Sequence, residues 1–162
     1  MGQLIDVRPA EPDDERFVRD LLADSWGGTL MAVHGELIDA AALPMLIARR
    51  SGTPAGLLTY RVDPETRSWE IVSLDAVPQG QGTGTALIKT IRSLARANGA
   101  RRIWLVTTNA NTSALRFYQL RGFDLVAVHR EAVTAARRLK PTIPLEEDGI
   151  PLRHEIELEF LL

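Results

Sequence analysis

Gln79-Gly80-Gln81-Gly82-Thr83-Gly84 stands between an apolar run, Trp69 to Val77, and an amphipathic one that begins near Leu87. Glycine lets backbone N–H groups approach a ligand, and the start of a helix favours an anion, so this turn has the means to cradle a phosphate or pyrophosphate. The same letters also suit a tight strand-to-helix turn with no ligand. Two nucleotide-binding patterns can be tested directly. A Walker loop needs Gly-Lys followed by Ser or Thr, whereas Gly84 is followed by Thr85-Ala86 and the first lysine is Lys89. A Rossmann fingerprint wants a small third residue where Thr85 stands and an acidic residue near the end of the next strand, and Ile103 to Thr108 carries none. Neither pattern fits.

The series Gln79-x-x-Gly82-x-Gly84 resembles the coenzyme A signature of GNAT-type N-acetyltransferases, in which Gln or Arg opens the turn and Gly, then Gly or Ala, follow at that spacing. Downstream, Asn111-Thr112-Ser113-Ala114-Leu115-Arg116-Phe117-Tyr118 with Arg121-Gly122-Phe123 is similar to that family's second signature: an Asn, an Ala, an aromatic-Tyr pair and a closing Gly-Phe. The resemblance runs from Glu70 to Phe123 and is to uncharacterised, bacterial-type members. The stretch from Leu74 to Gln79 is shorter than the family's usual connection, which leaves the pantetheine-pairing residues open.

The resemblance implies an enzyme that moves the acetyl group of acetyl-CoA to a primary amine by direct attack. In it, the turn Gln79, Gly80, Gln81, Gly82, Thr83, Gly84 and Thr85 would hold the pyrophosphate, and the strand edge Leu74, Asp75, Ala76 and Val77 would pair with pantetheine as an added strand. Asn111 and Ala114 would touch the coenzyme. Tyr118 would sit by the thioester sulfur and protonate the departing thiolate, a task open to a phenol with a pKa of about 10. A plain core position for Tyr118 and a helix N-cap for Asn111 fit the same letters. A coenzyme A-binding module without turnover, or another acyl-CoA donor, is also compatible with the signatures.

An amine must lose a proton to attack, so a carboxylate near the acceptor is expected, directly or through water. Glu70 is the candidate base; its setting, Glu70-Ile71-Val72 with Ala76-Val77 beyond, resembles the base-bearing strand of the family's histone-acetylating branch. A glutamate within an apolar strand needs a partner, and an ion pair with Arg61 or Arg67 is the competing explanation. Asp75 is the alternative base, expected on the opposite strand face by simple alternation. Trp26 and His34 are assigned to the acceptor cleft, although single aromatic residues in loops more often serve packing. His129 and His154 lack metal-pair spacing, so no metal is expected. Arg137, Arg138 and Lys140 read as a solvated helix end.

The elements that must position these groups follow from periodicity. Leu4 to Val7 opens a sheet, and a helix begins at Pro12-Asp13-Asp14 and ends near Trp26-Gly27-Gly28. Gly27 to Asp39 reads as a loop or a short helical excursion. Leu43 to Arg50 and Ala55 to Arg61 form a hairpin about Ser51-Gly52-Thr53-Pro54, and Asp63 to Thr66 turns into the Trp69 to Val77 strand. Leu87, Ile88, Ile91, Leu94 and Ala95 share one helix face, Asn98-Gly99 ends that helix, and Ile103 to Val106 completes a parallel strand-helix-strand unit. Ser113 to Leu120 is helical, a strand runs from Gly122 to His129, Glu131 to Leu139 is helical, Lys140 to Pro151 holds three prolines and a glycine, and His154 to Leu162 alternates as a half-buried strand. The expected fold is α/β (α+β): one GNAT-like domain over residues 1–162, with a mixed, mostly antiparallel sheet of six to seven strands flanked by helices and a central crossover with splayed strands.

Composition limits the alternatives. The chain has 162 residues, 45% apolar and 25% charged, with a formal net charge of -2, so it lacks the broad basic field of a nucleic-acid binder. No cysteine is present, which excludes disulfides and thiol nucleophiles. Met1 to Phe17 lacks a signal-peptide pattern and no run is long enough to span a bilayer, so a cytoplasmic protein without membrane partners is expected. Gly2 is followed by Asp6 where a myristoylation motif wants Ser or Thr. The Asn111-Thr112-Ser113 sequon has no export route to serve it. The expected partner is a small-molecule or peptide amine, and monomer and homodimer both remain open.

Overall fold

A computed structural model describes residues 3–162; Gly2, weighed above for lipidation, lies outside them. Strand β1 (Ile5–Pro9) leads through a single 3-10 turn into α1 (Glu15–Trp26), which ends on Gly27 in the left-handed region, φ 75°. A small hairpin, β2 (Leu30–Val33) and β3 (Glu36–Asp39), follows. Then come β4 (Met45–Arg50), β5 (Thr53–Asp63) and β6 (Ser68–Ala76), the helix α2 (Thr83–Ala97) and β7 (Arg102–Thr108). The chain closes with α3 (Thr112–Gln119), β8 (Asp124–His129), α4 (Ala132–Leu139), a short hairpin β9 (Glu146–Glu147) and β10 (Ile150–Pro151), and β11 (Glu155–Leu161).

The main sheet has seven strands in the order β1-β4-β5-β6-β7-β11-β8. Every neighbouring pair is antiparallel except β6 and β7, which the crossover helix α2 joins in parallel sense. This agrees with the expected class. The parallel pairing covers only Ser68 opposite Arg102, Trp69 opposite Ile103 and Glu70 opposite Trp104. Beyond Glu70 the two strands part.

Each face of the sheet has its own core. On one, Leu87, Ile88, Ile91 and Ala95 of α2 pack on Leu46, Leu58, Trp69 and Ile71, with Tyr118 and Phe123 alongside. On the other, Val18, Leu21 and Leu22 of α1 pack on Ile47 and Leu57, with Val72 in contact. Burial of each such aliphatic side chain contributes about 1.5–3 kcal/mol, which fixes both the helical stripes and the sheet register.

Two expectations need correction, and one stretch without an assigned element holds a hairpin. Gly27 to Asp39 is a β-hairpin, because His34 (φ 48°) and Gly35 (φ 83°) form a two-residue turn that aligns Leu30–Val33 with Glu36–Asp39. The Lys140 to Pro151 stretch holds a second such hairpin about Asp148 and Gly149, both in the left-handed region. Asp75 also lies on the same face as Glu70. The register of β6 on β5 slips between Thr59 opposite Ser73 and Tyr60 opposite Ile71, so the extra residue Val72 reverses the alternation that simple period two would impose.

Candidate active site

The parting of β6 and β7 makes a slot in the sheet. Past Glu70 the β7-facing edge of β6 has no strand partner among the described residues, while its other edge stays paired to β5 as far as Ala76, and β7 stays paired to β11 as far as Thr108. Leu74 and Ala76 therefore turn their backbone N–H and C=O groups to the open edge, whereas Asp75 and Val77 turn theirs to β5, the Val77 N–H meeting the Ala55 carbonyl at 2.8 Å. An extended amide-bearing chain is what such an edge accepts.

At the end of the slot the glycine turn leads into α2. Gln79, Gly80, Gln81 and Gly82 are exposed, and Gly80 (φ 77°) and Gly82 (φ 84°) hold the left-handed geometry that turns backbone N–H groups outward. A Cβ on Gly80 would meet nothing within 4 Å, so the cradle opens to solvent. Arg50 donates to Gln81 from β4 and brings a cation beside the turn. Thr83 is buried and its hydroxyl has no partner among the described residues. Gly84 packs against Phe117, and Thr85 Oγ1 accepts from Arg121 Nη2 at 2.7 Å and Nε at 3.1 Å. Their side-chain positions are thus structural contacts between α2 and α3, whatever their backbones bind.

Asn111 is the N-cap of α3: its Oδ1 accepts from the Ala114 N–H at 3.1 Å. Its amide nitrogen makes no bond among the described residues. Two turns further, Tyr118 is buried among Phe117 and Phe123, with ring centroids 5.1 and 5.3 Å away. Burial, and then the nearby Asp75 carboxylate, push the phenol well above its ordinary value, so the hydroxyl keeps its proton.

Glu70, Asp75, Trp26 and His34 gather on the opposite face. Glu70 is 7% exposed, and its Oε1 lies 2.8 Å from His34 Nε2. Its partner is this histidine; neither Arg61 nor Arg67 bonds it, although Arg61 stands opposite on β5. His34 comes from the hairpin turn, its ring 5.2 Å from that of Trp104 on β7. The Glu70 hydrogen bond raises its pKa against the opposing effect of burial. Asp75 Oδ2 accepts from Trp26 Nε1 at 2.9 Å; burial pushes its carboxyl up, and the bonds from Trp26 and Ser25 only moderate that. They form two pairs on that face, Glu70 with His34 and Asp75 with Trp26.

Sequence reasoning missed four contributors. Trp104 closes the vertex of the slot, and Glu155 at the start of β11 adds a carboxyl raised by burial. Lys140, read as a solvated helix end, donates from Nζ to the carbonyls of Trp26 (2.7 Å) and Leu30 (2.8 Å) and ties α4 to the acceptor side. Asn109 Oδ1 accepts from the N–H groups of Arg153 (3.0 Å) and His154 (2.9 Å), which seats the last strand. Only Glu155 carried a local signal, as a charge at the head of an alternating strand. His154 instead accepts from the Glu131 N–H at 2.9 Å.

Comparison with known proteins is consistent across sequence and structure. A model of the acetyltransferase (GNAT) family matches residues 9–123. Two uncharacterised proteins of Bacillus subtilis (strain 168) are similar: YdhI, 39% identical over 144 residues, covering 88% of this chain and 89% of that protein, and YxbD, 43% identical over 135 residues, covering 82% and 84%. An IAA acetyltransferase from Bacillus cereus ATCC 14579 superposes with a TM-score of 0.74 at 20% identity, over 98% of this chain and 100% of the other. A GNAT family acetyltransferase from Elizabethkingia anophelis with acetyl-CoA bound gives 0.70 at 20% identity, over 98% of each chain. At these identities the structural likeness speaks to the fold. Among the described residues no helix is long and apolar enough to cross a membrane.

Proposed function

The chain belongs to the acetyltransferase (GNAT) family, and from that membership we propose that it transfers the acetyl group of acetyl-CoA to a primary amine by direct attack. The observation that carries this reading is the slot itself. It is open from Glu70 onward, leads to a solvent-facing glycine cradle, and has Tyr118 on one face and a carboxylate-bearing wall on the other.

The residues present fit acetyl-CoA. The turn Gln79 to Thr85 offers outward N–H groups and a helix start for the pyrophosphate, with Arg50 beside it, and the orphaned Thr83 hydroxyl lies within the same turn. The free edge at Leu74 to Ala76 suits the amides of pantetheine, and Asn111 and Ala114, at the head of α3, are assigned to touch the coenzyme. Bound there, acetyl-CoA supplies an activated acyl carbon and a thiol leaving group.

In the reaction the amine nitrogen forms a bond to the acyl carbon and the carbon–sulfur bond breaks. The ammonium gives up two protons, one released to water through a base and one balancing the proton the thiolate finally takes. A base on the wall that carries Glu70 and, further along the same strand, Asp75 draws off the first. A thiol has a pKa of about 8.5, below that of a buried phenol, so Tyr118 serves the sulfur chiefly as a hydrogen-bond donor as charge develops there. Trp26 and His34 border the amine's approach.

The test is thiol release from acetyl-, propionyl- and succinyl-CoA against a panel of small amines, polyamines, amino acids and peptide N-termini. Turnover dependent on both acyl-CoA and amine is expected. Tight coenzyme binding with the same slow hydrolysis whatever the amine would falsify the catalytic reading.

A further inference from the structure

We infer that the group that takes the proton from the acceptor amine is His34 Nδ1, and that Glu70 is a positioning residue which holds the imidazole in the required tautomer. This rests on the acetyl-transfer reading above and names the base within it.

The geometry leaves little choice of tautomer. Glu70 is nearly sealed from solvent, its side chain 9% exposed, and its Oε1 meets His34 Nε2 at 2.8 Å. A carboxylate has no proton to give, so Nε2 must be the donor and carry the hydrogen. In the neutral ring the lone pair then falls on Nδ1. That nitrogen has no hydrogen-bond partner among the described residues, and the His34 side chain is 38% exposed. An approaching ammonium meets the imidazole before it can reach the carboxylate behind it.

The ring is held on three sides. The hairpin turn sets the residue's backbone in the left-handed region at φ 48°, the Trp104 ring packs against it with centroids 5.2 Å apart and planes tilted by 31°, and Glu70 fixes its far nitrogen. The hairpin in turn is anchored where Lys140 binds the Leu30 carbonyl at 2.8 Å. A ring so confined loses little freedom on accepting a proton, and a carboxylate at Nε2 steadies the imidazolium that forms. The proton passes from ammonium nitrogen to Nδ1 and from there to water, so no charge is stored.

Charged groups from each neighbouring element act on the ring. Glu70 of β6 favours the imidazolium most strongly, Glu155 of β11 adds to that, and Arg61 of β5 opposes it. His129 of β8 acts on Glu155 rather than on the ring itself. The sum puts titration above the ordinary imidazole range, so as a base His34 gains activity as pH rises through that point.

Three measurements decide the matter. Nitrogen-15 NMR of the histidines in the free enzyme reads tautomer and pKa without any turnover: His34 is expected as the Nε2–H tautomer, titrating above about 6.5. A neutral ring protonated on Nδ1 overturns the proposal. Second, His34→Gln keeps an amide N–H for Glu70 but has no titratable nitrogen; a fall in kcat/KM of about 10²-fold or more, loss of the pH limb and unchanged acetyl-CoA affinity are expected. Third, Glu70→Gln keeps the acceptor oxygen and loses the charge, and should shift the limb to lower pH while retaining part of the rate. If Glu70→Gln abolishes turnover while His34→Gln keeps both rate and limb, Glu70 is itself the base and the proposal fails. A wild-type protein with no turnover sinks the acetyl-transfer reading and, with it, the role of His34 as base, whereas the NMR result still reports which nitrogen Glu70 holds.

Discussion

Gly56 of β5 and Thr83 at the start of α2 approach so closely that a Cβ at position 56 would lie 2.6 Å from the Thr83 methyl, with the Asp75 carbonyl oxygen 3.1 Å away on the other side. The strand that borders the slot and the helix that carries the cradle are therefore in register only because residue 56 has no side chain. Gly56→Ala should push the first turn of α2 outward. Overpacking of this kind costs about 1–3 kcal/mol, and each ~1.4 kcal/mol that falls on the turn weakens acetyl-CoA about tenfold. Thr83→Ser removes the opposing methyl, so the double variant should recover much of both losses. Calorimetric binding and thermal unfolding of all four proteins check this, and additive losses would show that the contact does not couple the two elements.

Asp75 makes a prediction about stability against pH. Burial raises its folded-state pKa above the unfolded value of about 3.9, while Trp26 and Ser25 only moderate the rise. A raised carboxyl pKa means a contribution that is fully present below the unfolded value and lost as pH climbs through the folded one. Asp75→Asn keeps an oxygen for Trp26 Nε1 and removes that loss. Its Tm should exceed that of the wild type at pH 7, by roughly 2–4 °C per kcal/mol recovered in a chain of this size, and the gap should close toward pH 4. A gap that widens on acidification would contradict the buried-carboxylate account.

The glycine cradle was legible in the sequence because its requirement is local: Gly80 and Gly82 need left-handed geometry wherever the chain goes. Glu70 was legible because a charge inside an apolar strand demands a partner. The identity of that partner was not, since His34 lies 36 residues away on a hairpin whose strands pair only with each other and whose turn is His-Gly rather than the stronger Asn-Gly or Asp-Gly signal. The shared face of Glu70 and Asp75 was hidden for a different reason. It depends on the extra residue at Val72, which the pairing of β6 with β5 imposes and which no alternation of letters within β6 reveals.

Tyr118 should separate chemistry from folding. Its ring fills the space between Phe117 and Phe123, but its hydroxyl has no bonded partner among the described residues. Tyr118→Phe keeps the ring and deletes only the donor. Thermal stability should be unchanged or slightly higher, because a hydroxyl without a protein partner contributes little to the folded state. Acetyl-CoA affinity should hold, whereas kcat should drop about 10²-fold, the order expected for loss of one donor to developing charge. Steady-state kinetics with coenzyme binding in parallel gives the answer, and a variant with wild-type kcat would remove Tyr118 from the reaction.

Lys140 tests whether the acceptor side is an assembly distinct from the coenzyme side. Its Nζ joins the end of α1 to the start of β2 by bonding the Trp26 and Leu30 carbonyls, and it touches neither the glycine turn nor α3. Lys140→Met keeps the apolar stem that covers this junction but leaves both carbonyls without their donor. Trp26, which orients Asp75, and the hairpin that presents His34 would then be held less firmly. The expected outcome is a several-fold rise in KM for the amine with KM for acetyl-CoA unchanged, since only the wall that meets the amine loses its anchor. Equal rises in both constants would mean that the two faces of the slot move together, and the anchoring role would then extend across the sheet.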